Sequence, residues 1–280
     1  MQASNFIVCC TSEIVPFKKG ESMNASLIMM VLTSGGLFIG MLILLETGRR
    51  IGLARIAGEG DEGKGLAAVE GAVYGLLGLL IAFTFSGAAS RYETRRHLIV
   101  EEANAIGTAY LRLDLLSAGA RDSLKEKFRR YIDLRLDFYR KIQDLEASKQ
   151  SFDKSVDLQN SIWNEAVAAG PTAPVQQAPM LLLPALNQMI DITTTRAVAL
   201  KMHPPAIIYW MLGGLALLSA LLAGYSMAQS KTHSWLHMFV YAAILALIYY
   251  VILDLEYPRL GLIRIDAADE LLVSVRQAMK

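Results

Sequence analysis

The sequence predicts an all-α membrane protein, with four transmembrane helices in two hairpins and a large extramembrane helical bundle between the second and third. Two observations predict it. Of the 280 residues, 54% are hydrophobic, above the roughly 45–50% usual for soluble domains, and mean hydropathy is +0.36. The apolar residues also gather in four blocks, with the charge collected between them.

A bilayer core about 30 Å thick is crossed by about 20 mostly apolar residues in a helix. The first block, Ala25 to Leu45, carries no charge, and the second, Leu66 to Ser90, carries only Glu70, near its start. The third, Pro205 to Ala228, is uncharged, and the fourth, Trp235 to Leu253, has only His237 at its entrance. Each is too long and too apolar for an ordinary core helix. The first block also exceeds a signal-peptide h-region of about 7–15 residues, and Arg49 and Arg50 follow it, so it is expected to stay as an anchor. Residues 1–24 read as an unpatterned extension. Tyr209, Trp210 and Trp235, with Tyr249, Tyr250 and Tyr257 at the last exit, suit the headgroup layer. Pro204 and Pro205 open the third span, where a missing N–H costs little.

Residues 91–203 read as helix almost throughout. Ile99, Ala103, Ile106, Tyr110 and Leu113 keep a helical period, so the second span is expected to continue into water as one long helix. A second helix is expected at about Ala120 to Glu146. Its apolar side carries Leu124, Phe128, Tyr131, Ile132, Leu136, Phe138 and Tyr139. Its other face mixes charges (Lys125, Glu126, Lys127, Arg129, Arg130, Asp133, Arg135, Asp137) in the manner of a solvated surface. Further helices are expected at about Ser151 to Ala168 and Met180 to Met202, separated by the proline-rich loop PTAPVQQAP at 171–179. Residues 204–254 form the second hairpin and 255–280 a C-terminal tail. No run of alternating β-branched residues occurs.

The sequence excludes several functions. A net charge of +1 argues against nucleic acid as a partner. Cys9 and Cys10 are adjacent, with no CxxC or spaced Cys/His set, so neither a disulfide framework nor a metal site is predicted. GxxxxGK[ST], HExxH, GxSxG and a GxGxxG after a strand are all missing. The four histidines (His97, His203, His233, His237) are scattered, so no catalytic residue and no cofactor are expected. Glu101, Glu102 and Asn104 form the one polar cluster. Adjacent helical residues do not face each other, so these residues are expected to bridge to Arg95 or Arg96 rather than to act as a site.

The second span carries the pattern of most interest. Gly71, Gly75, Gly78, Ala82, Ser86 and Ala89 fall on one stripe at spacings of three and four. Small residues let helix backbones approach closely in lipid. Leu76, Leu79 and Phe83 form a second row beside the stripe. Two readings follow. Either the small residues seat a helix of the same subunit, or the helix repeats around a symmetry axis. In the second case the stripe seats neighbouring subunits, and Leu76, Leu79 and Phe83 project into an apolar constriction of the kind that gates by dewetting.

The run LLIAFTFSGAASRYETRRHLIVEEANAIGTAYLRLDLL at 79–116, with GLIRI after the fourth span, resembles the bestrophin-like family of bacterial membrane proteins over most of the chain from about Gly48. More distantly it is similar to the bacterial bestrophin pattern of an apolar pore helix ending in Phe, a Ser/Ala step, Arg-aromatic, then Arg and Leu. Phe83, Ala88, Arg91, Tyr92, Arg96 and Leu98 stand at those positions. The Trp pair usual after the arginine is Tyr92-Glu93 here, Gly75 replaces a bulky neck residue, and no acidic calcium clasp is visible. Bestrophins are pentameric channels whose second transmembrane helix lines a hydrophobic neck and continues into a cytosolic helical domain. The resemblance implies a homo-oligomer in the bilayer, with inorganic ions as its cargo, a constriction at Leu76, Leu79 and Phe83, and helix-packing positions at Gly71, Gly75, Gly78, Ala82 and Ser86.

Orientation follows from Lys and Arg near span ends. With cytoplasmic termini the inside set is Lys18, Lys19, Arg91, Arg95, Arg96, Arg196, Lys201, Arg259 and Arg264. The outside set is Arg49, Arg50, Arg55, Lys64 and Lys231. An inner-membrane protein with residues 91–203 in the cytoplasm is therefore expected. The alternative function is a non-conducting scaffold or sensor acting through residues 91–203. A stator-like assembly is weaker, because such machines use an intramembrane acid and Glu70 sits at the span's start, where it is expected to be interfacial.

Overall fold

The computed structural model describes residues 23–58, 64–141, 144–229, 234–259 and 261–279. The expected extension with Cys9 and Cys10, and Lys231 and His233, lie outside them. The described residues form α1 (Met23–Gly58), α2 (Lys64–Arg112), α3 (Ala118–Arg140), α4 (Leu145–Ala169), α5 (Ala178–Lys201), α6 (Ala206–Met227), α7 (Trp235–Glu256) and α8 (Asp266–Ala278). Among them there is no strand. Four helices are long and apolar enough to cross a membrane. Helices satisfy their own backbone groups, which water cannot do inside a bilayer.

The chain divides into two compact units. One holds Asn24–Tyr92 and His203–Ile263, and the other holds Glu93–Met202 and Arg264–Lys280. α2 is a single unbroken helix of 49 residues whose last part, from Glu93, belongs to the second unit.

In the first unit, α1, α2, α6 and α7 share a core of Met41, Leu45, Leu77, Ala88, Leu212, Ala216, Ala220, Met238, Ala242 and Ala246. α1 is longer than the expected 25–45 span and runs on through Arg49 and Arg50 to Gly58. Glycine makes its crossing with α6 possible. A Cβ on Gly224 would stand 2.7 Å from the carbonyl carbon of Leu45 and 2.8 Å from its Cα, and one on Gly48 would collide with the carbonyl oxygen of Leu221. Arg55 donates to the Tyr225 hydroxyl at 3.1 Å. The Ser226 hydroxyl donates to Glu70, which is buried.

In the second unit, Leu113, Leu124, Phe128, Tyr131, Ile132, Ile162, Leu182, Leu186 and Met189 lie in one core. The periodic positions Ile99, Ala103, Ile106, Tyr110 and Leu113 are all buried. The helix expected to reach Glu146 ends at Arg140. Asp144 then caps α4 by accepting from the Ala147 N–H at 3.1 Å, satisfying one of the donors a helix start leaves unpaired. The expected tail contains α8, whose Leu272 joins this core and whose Arg276 pairs with Asp133 at 2.9 Å. An amphipathic helix needs such a partner for its apolar face, and α3 is the one it meets.

Arg135, expected on the solvated face of α3, is fully buried. It stands four residues after Tyr131 and four before Tyr139, and so lies on the apolar stripe. Its Nε donates to Glu102 at 2.7 Å and its Nη2 to the Tyr139 hydroxyl at 2.6 Å. Glu102 also takes an ion pair from Arg196, whose Nη2 reaches Asp269 at 3.2 Å. The Arg196 guanidinium lies 3.9 Å from the Tyr139 ring centre, a cation–π distance. Two carboxylates therefore meet two guanidiniums, a balance a buried charge needs because desolvation alone is prohibitive. The remaining nitrogen, Arg135 Nη1, has no hydrogen-bond partner. The guanidinium faces the Phe138 and Tyr139 rings at 5.5 and 5.2 Å, whose π electrons partly replace one. Nearby, Gln159 donates to the Tyr131 hydroxyl at 2.9 Å and to Thr193 at 3.0 Å.

Candidate functional site

α2 is the least covered of the apolar helices. Of its most hydropathic stretch 11% of residues are buried, against 17%, 22% and 22% for the other three spans. Leu77 and Ala88 face the core, with Leu80 and Ile81 packed beside them. The opposite side is open. Leu76 is 56% exposed, Leu79 53% and Phe83 68%. Gly71, Gly75 and Gly78 are exposed, and a Cβ at any of them would meet no atom within 4 Å. Ala82 and Ser86 are exposed as well. Among the described residues, Gly71, Gly75, Gly78, Ala82 and Ser86 therefore seat no helix of their own subunit, whereas Ala89, the last of the stripe, is half-buried and packs against the core. Within the chain, close backbone approach falls instead to Gly48, Gly52 and Gly224, which the small-residue pattern of the second span did not single out.

At the end of these spans lies a charged cluster that spacing alone did not reveal. Arg91 donates from Nε to both oxygens of Glu256 at 3.0 Å, and its Nη2 stands 2.9 Å from Oε2. A planar guanidinium and a carboxylate match in this two-pronged way. His203 Nδ1 lies 3.1 Å from Glu256 Oε1, and its ring stacks on Tyr257 at 4.7 Å. Two residues before Glu256, buried Asp254 accepts from the Leu262 N–H at 2.9 Å and the Ile263 N–H at 2.9 Å. Gly261 passes so close to this carboxylate that a Cβ would collide with it. This is the physical reason for glycine in the GLIRI segment.

The polar cluster on α2 resolves differently from the expectation of bridges to Arg95 or Arg96. Glu101 stands 3.3 Å from His97, Arg96 pairs with Glu93 at 3.0 Å, and Arg95 donates to the carbonyls of Ala199 at 3.1 Å and Met202 at 3.0 Å. Glu102 turns inward to Arg135 and Arg196. Burial by itself pushes the Glu102 carboxyl up, but the two guanidiniums outweigh it and hold it below its ordinary range. Among the described residues no group of three or more His, Cys, Asp or Glu side chains could hold a metal ion.

A bestrophin-like domain matches residues 65–269. A crystal structure of a bacterial bestrophin homologue from Klebsiella pneumoniae, carrying a tyrosine-to-alanine substitution, is similar at a TM-score of 0.59 and 15% identity. The match covers 86% of this chain and 97% of that one. Two structures of a membrane protein with single proline-to-alanine substitutions match with TM-scores of 0.57 and 0.56, at 14% and 15% identity and the same coverage. At such identities the likeness is one of fold. No curated protein matches the sequence. The chain belongs to the bestrophin-like family.

Proposed function

We propose that this bestrophin-like membrane protein is a homo-oligomeric ion channel, its constriction formed by Leu76, Leu79 and Phe83 of α2 around a shared axis. One observation carries the reading. A row of bulky apolar side chains and a parallel row of small residues both stand open on one side of the helix least buried in its own chain. Lipid can cover apolar side chains, but a run of glycines is suited to close helix contact. In the assembly the small row at Gly71, Gly75, Gly78, Ala82 and Ser86 meets neighbouring copies, and the bulky row narrows the passage to a dewetting gate. Family resemblance suggests five copies. The excess of Lys and Arg at the span ends flanking Glu93–Met202 supports a cytoplasmic position for that region, in the inner membrane of a bacterial cell.

The test is ion flux from liposomes holding the purified protein. Leu79→Ala and Phe83→Ala widen the constriction and are expected to raise flux severalfold over the parent. If both variants pass ions at the parent's rate, the neck is elsewhere. If none of the three conducts, the protein is not a channel, and the scaffold reading through Glu93–Met202 takes its place.

A further inference from the structure

We infer that the end of α1 binds the phosphate of an anionic phospholipid through Arg50, an interaction that goes beyond the channel reading and does not depend on it. By its apolar run alone the first span ends at Leu45, which would leave Arg49 and Arg50 in water. The packing of α1 on α6 moves that boundary. The two helices run parallel: Gly40 meets Leu217, Leu45 meets Gly224, and Gly52 meets Tyr225 and Ala228. α6 has 22 residues, about 33 Å at 1.5 Å per residue, which just crosses a bilayer core of about 30 Å. Its end at Met227 therefore marks one edge of the membrane, and Gly52 lies level with it. Arg50 stands two residues before Gly52, or about 3 Å inside that edge. From that depth a long side chain reaches the headgroup layer.

The face that carries Arg50 looks out of the bundle. Ile39, Ile43, Glu46, Arg50 and Leu53 follow one another at spacings of three and four, which is one side of a helix. Ile39, Ile43 and Leu53 are 57%, 59% and 42% exposed, and the Arg50 side chain 76%. Arg50 gives its Nε to Glu46 at 2.8 Å, and among the described residues its two Nη groups take no hydrogen bond. Glu46 is shared, because Arg49 Nη1 stands 3.9 Å from its other oxygen. Two guanidiniums thus divide one carboxylate. The third arginine of the stretch, Arg55, donates to a neutral group, the Tyr225 hydroxyl. One positive charge is left over at Glu46 and its two arginines, and a single phosphodiester supplies its match. An unmatched guanidinium at the edge of a hydrocarbon layer is costly, and its planar fork suits phosphate. The acyl chains of the same lipid then lie along Ile39 and Ile43, deeper on the same face. A dissolved anion would gain nothing from those two side chains. A zwitterionic headgroup would bring its own cation beside the arginines, so the match is with a lipid of net negative charge.

The test is native mass spectrometry of the purified full-length protein, titrated in detergent with phosphatidylglycerol. The parent is expected to retain phosphatidylglycerol in preference to phosphatidylcholine. Arg50→Gln should weaken the tightest phosphatidylglycerol adduct about fivefold, the contribution of one basic residue at a membrane surface. Glu46→Gln removes the carboxylate that competes with the phosphate, and should tighten the adduct. Arg130→Gln is the matched control. The Arg130 side chain is 71% exposed and pairs with Glu126 four residues before it, as Arg50 does with Glu46, but it lies on α3, outside the spans. Its loss should leave retention unchanged. Soluble glycerol phosphate at the same concentration should not displace the lipid. Binding that is unmoved by Arg50→Gln, weakened alike by Arg130→Gln, or equal for the two lipids overturns the inference. Displacement by glycerol phosphate also overturns it, and would make the site one for dissolved anions. Glu46→Gln and Arg50→Gln are expected to shift binding in opposite directions, so if one variant fails to fold the other decides. The readout is lipid rather than current, so its failure leaves the channel reading standing, and a protein that carries no current leaves this inference standing.

Discussion

Replacing Gly224 by alanine adds one methyl group where α1 and α6 cross, and the structure fixes what it would meet. The new Cβ would stand 2.7 Å from the carbonyl carbon of Leu45 and 2.8 Å from its Cα, where carbon contacts are comfortable at about 3.5–4.0 Å. The obstacle is backbone, so no side chain can rotate away, and the helices must part by about 1 Å. The separation loosens Met41, Leu45, Ala216 and Ala220, all buried in one cluster. Overpacking of this kind costs about 1–3 kcal/mol, and the rigid obstacle puts the expectation near the top of that range. Gly75→Ala is the matched control, since its Cβ meets nothing within 4 Å, and open sites change stability by about 0.5 kcal/mol or less. Thermal unfolding of the purified protein in detergent, under conditions that keep it monomeric, should show Gly224→Ala melting several degrees below the parent and Gly75→Ala unchanged. Equal melting of the two variants would refute the assignment of close approach to Gly224 and of the open face to Gly75.

Glu102→Gln leaves Arg135, fully buried, without its carboxylate, and is expected to cost about 3 kcal/mol, measured by the same melt. Because the folded Glu102 carboxyl is held below its ordinary range, its contribution is fully present above the unfolded value of about 4.3. The contribution is lost as pH falls below that, through the folded value. The gap between parent and Glu102→Gln should therefore close in acid, and a gap constant down to strongly acid pH would contradict the charge balance. Gly261→Ala drives a methyl group into the Asp254 carboxylate that holds the Leu262 and Ile263 N–H groups. Trypsin should then cut faster after Arg259 and Arg264, whereas an unchanged cleavage rate would show that the carboxylate does not hold this turn.

The four spans are legible in the sequence because a bilayer demands an uninterrupted apolar run whatever the tertiary contacts, and Ala25–Leu45 or Trp235–Leu253 can be nothing else. The buried side of α3 is legible for a similar reason. Its aromatic and aliphatic residues repeat with the helix, and the same period would have found Arg135 had its charge not argued for water. Helix ends read less well. Asp144 is an ordinary cap signal inside a stretch that otherwise continues the helical pattern, and α8 is short enough for its apolar period to pass as a tail. The ion pairs were hidden by chain separation. Glu102 meets Arg135 33 residues away and Arg196 94 away, and Arg91 meets Glu256 across 165. Local spacing suggested bridges from Glu102 to Arg95 or Arg96, which the fold does not make. On α2 the two rows were visible as a pattern, but their being open was not, since a small-residue face looks the same whether its partner lies in the same chain or in another.

The account stands on α2 meeting copies of itself through the face that carries Phe83. Disulfide trapping in native membranes tests this directly, in a background where Cys9 and Cys10 are serine. A Phe83→Cys variant should form subunit-to-subunit disulfides rapidly under mild oxidation, while Ile43→Cys, also well exposed but on α1, should remain monomeric. A Phe83→Cys protein that stays monomeric, or that cross-links no faster than Ile43→Cys, would mean that this face of α2 looks into lipid and encloses no passage.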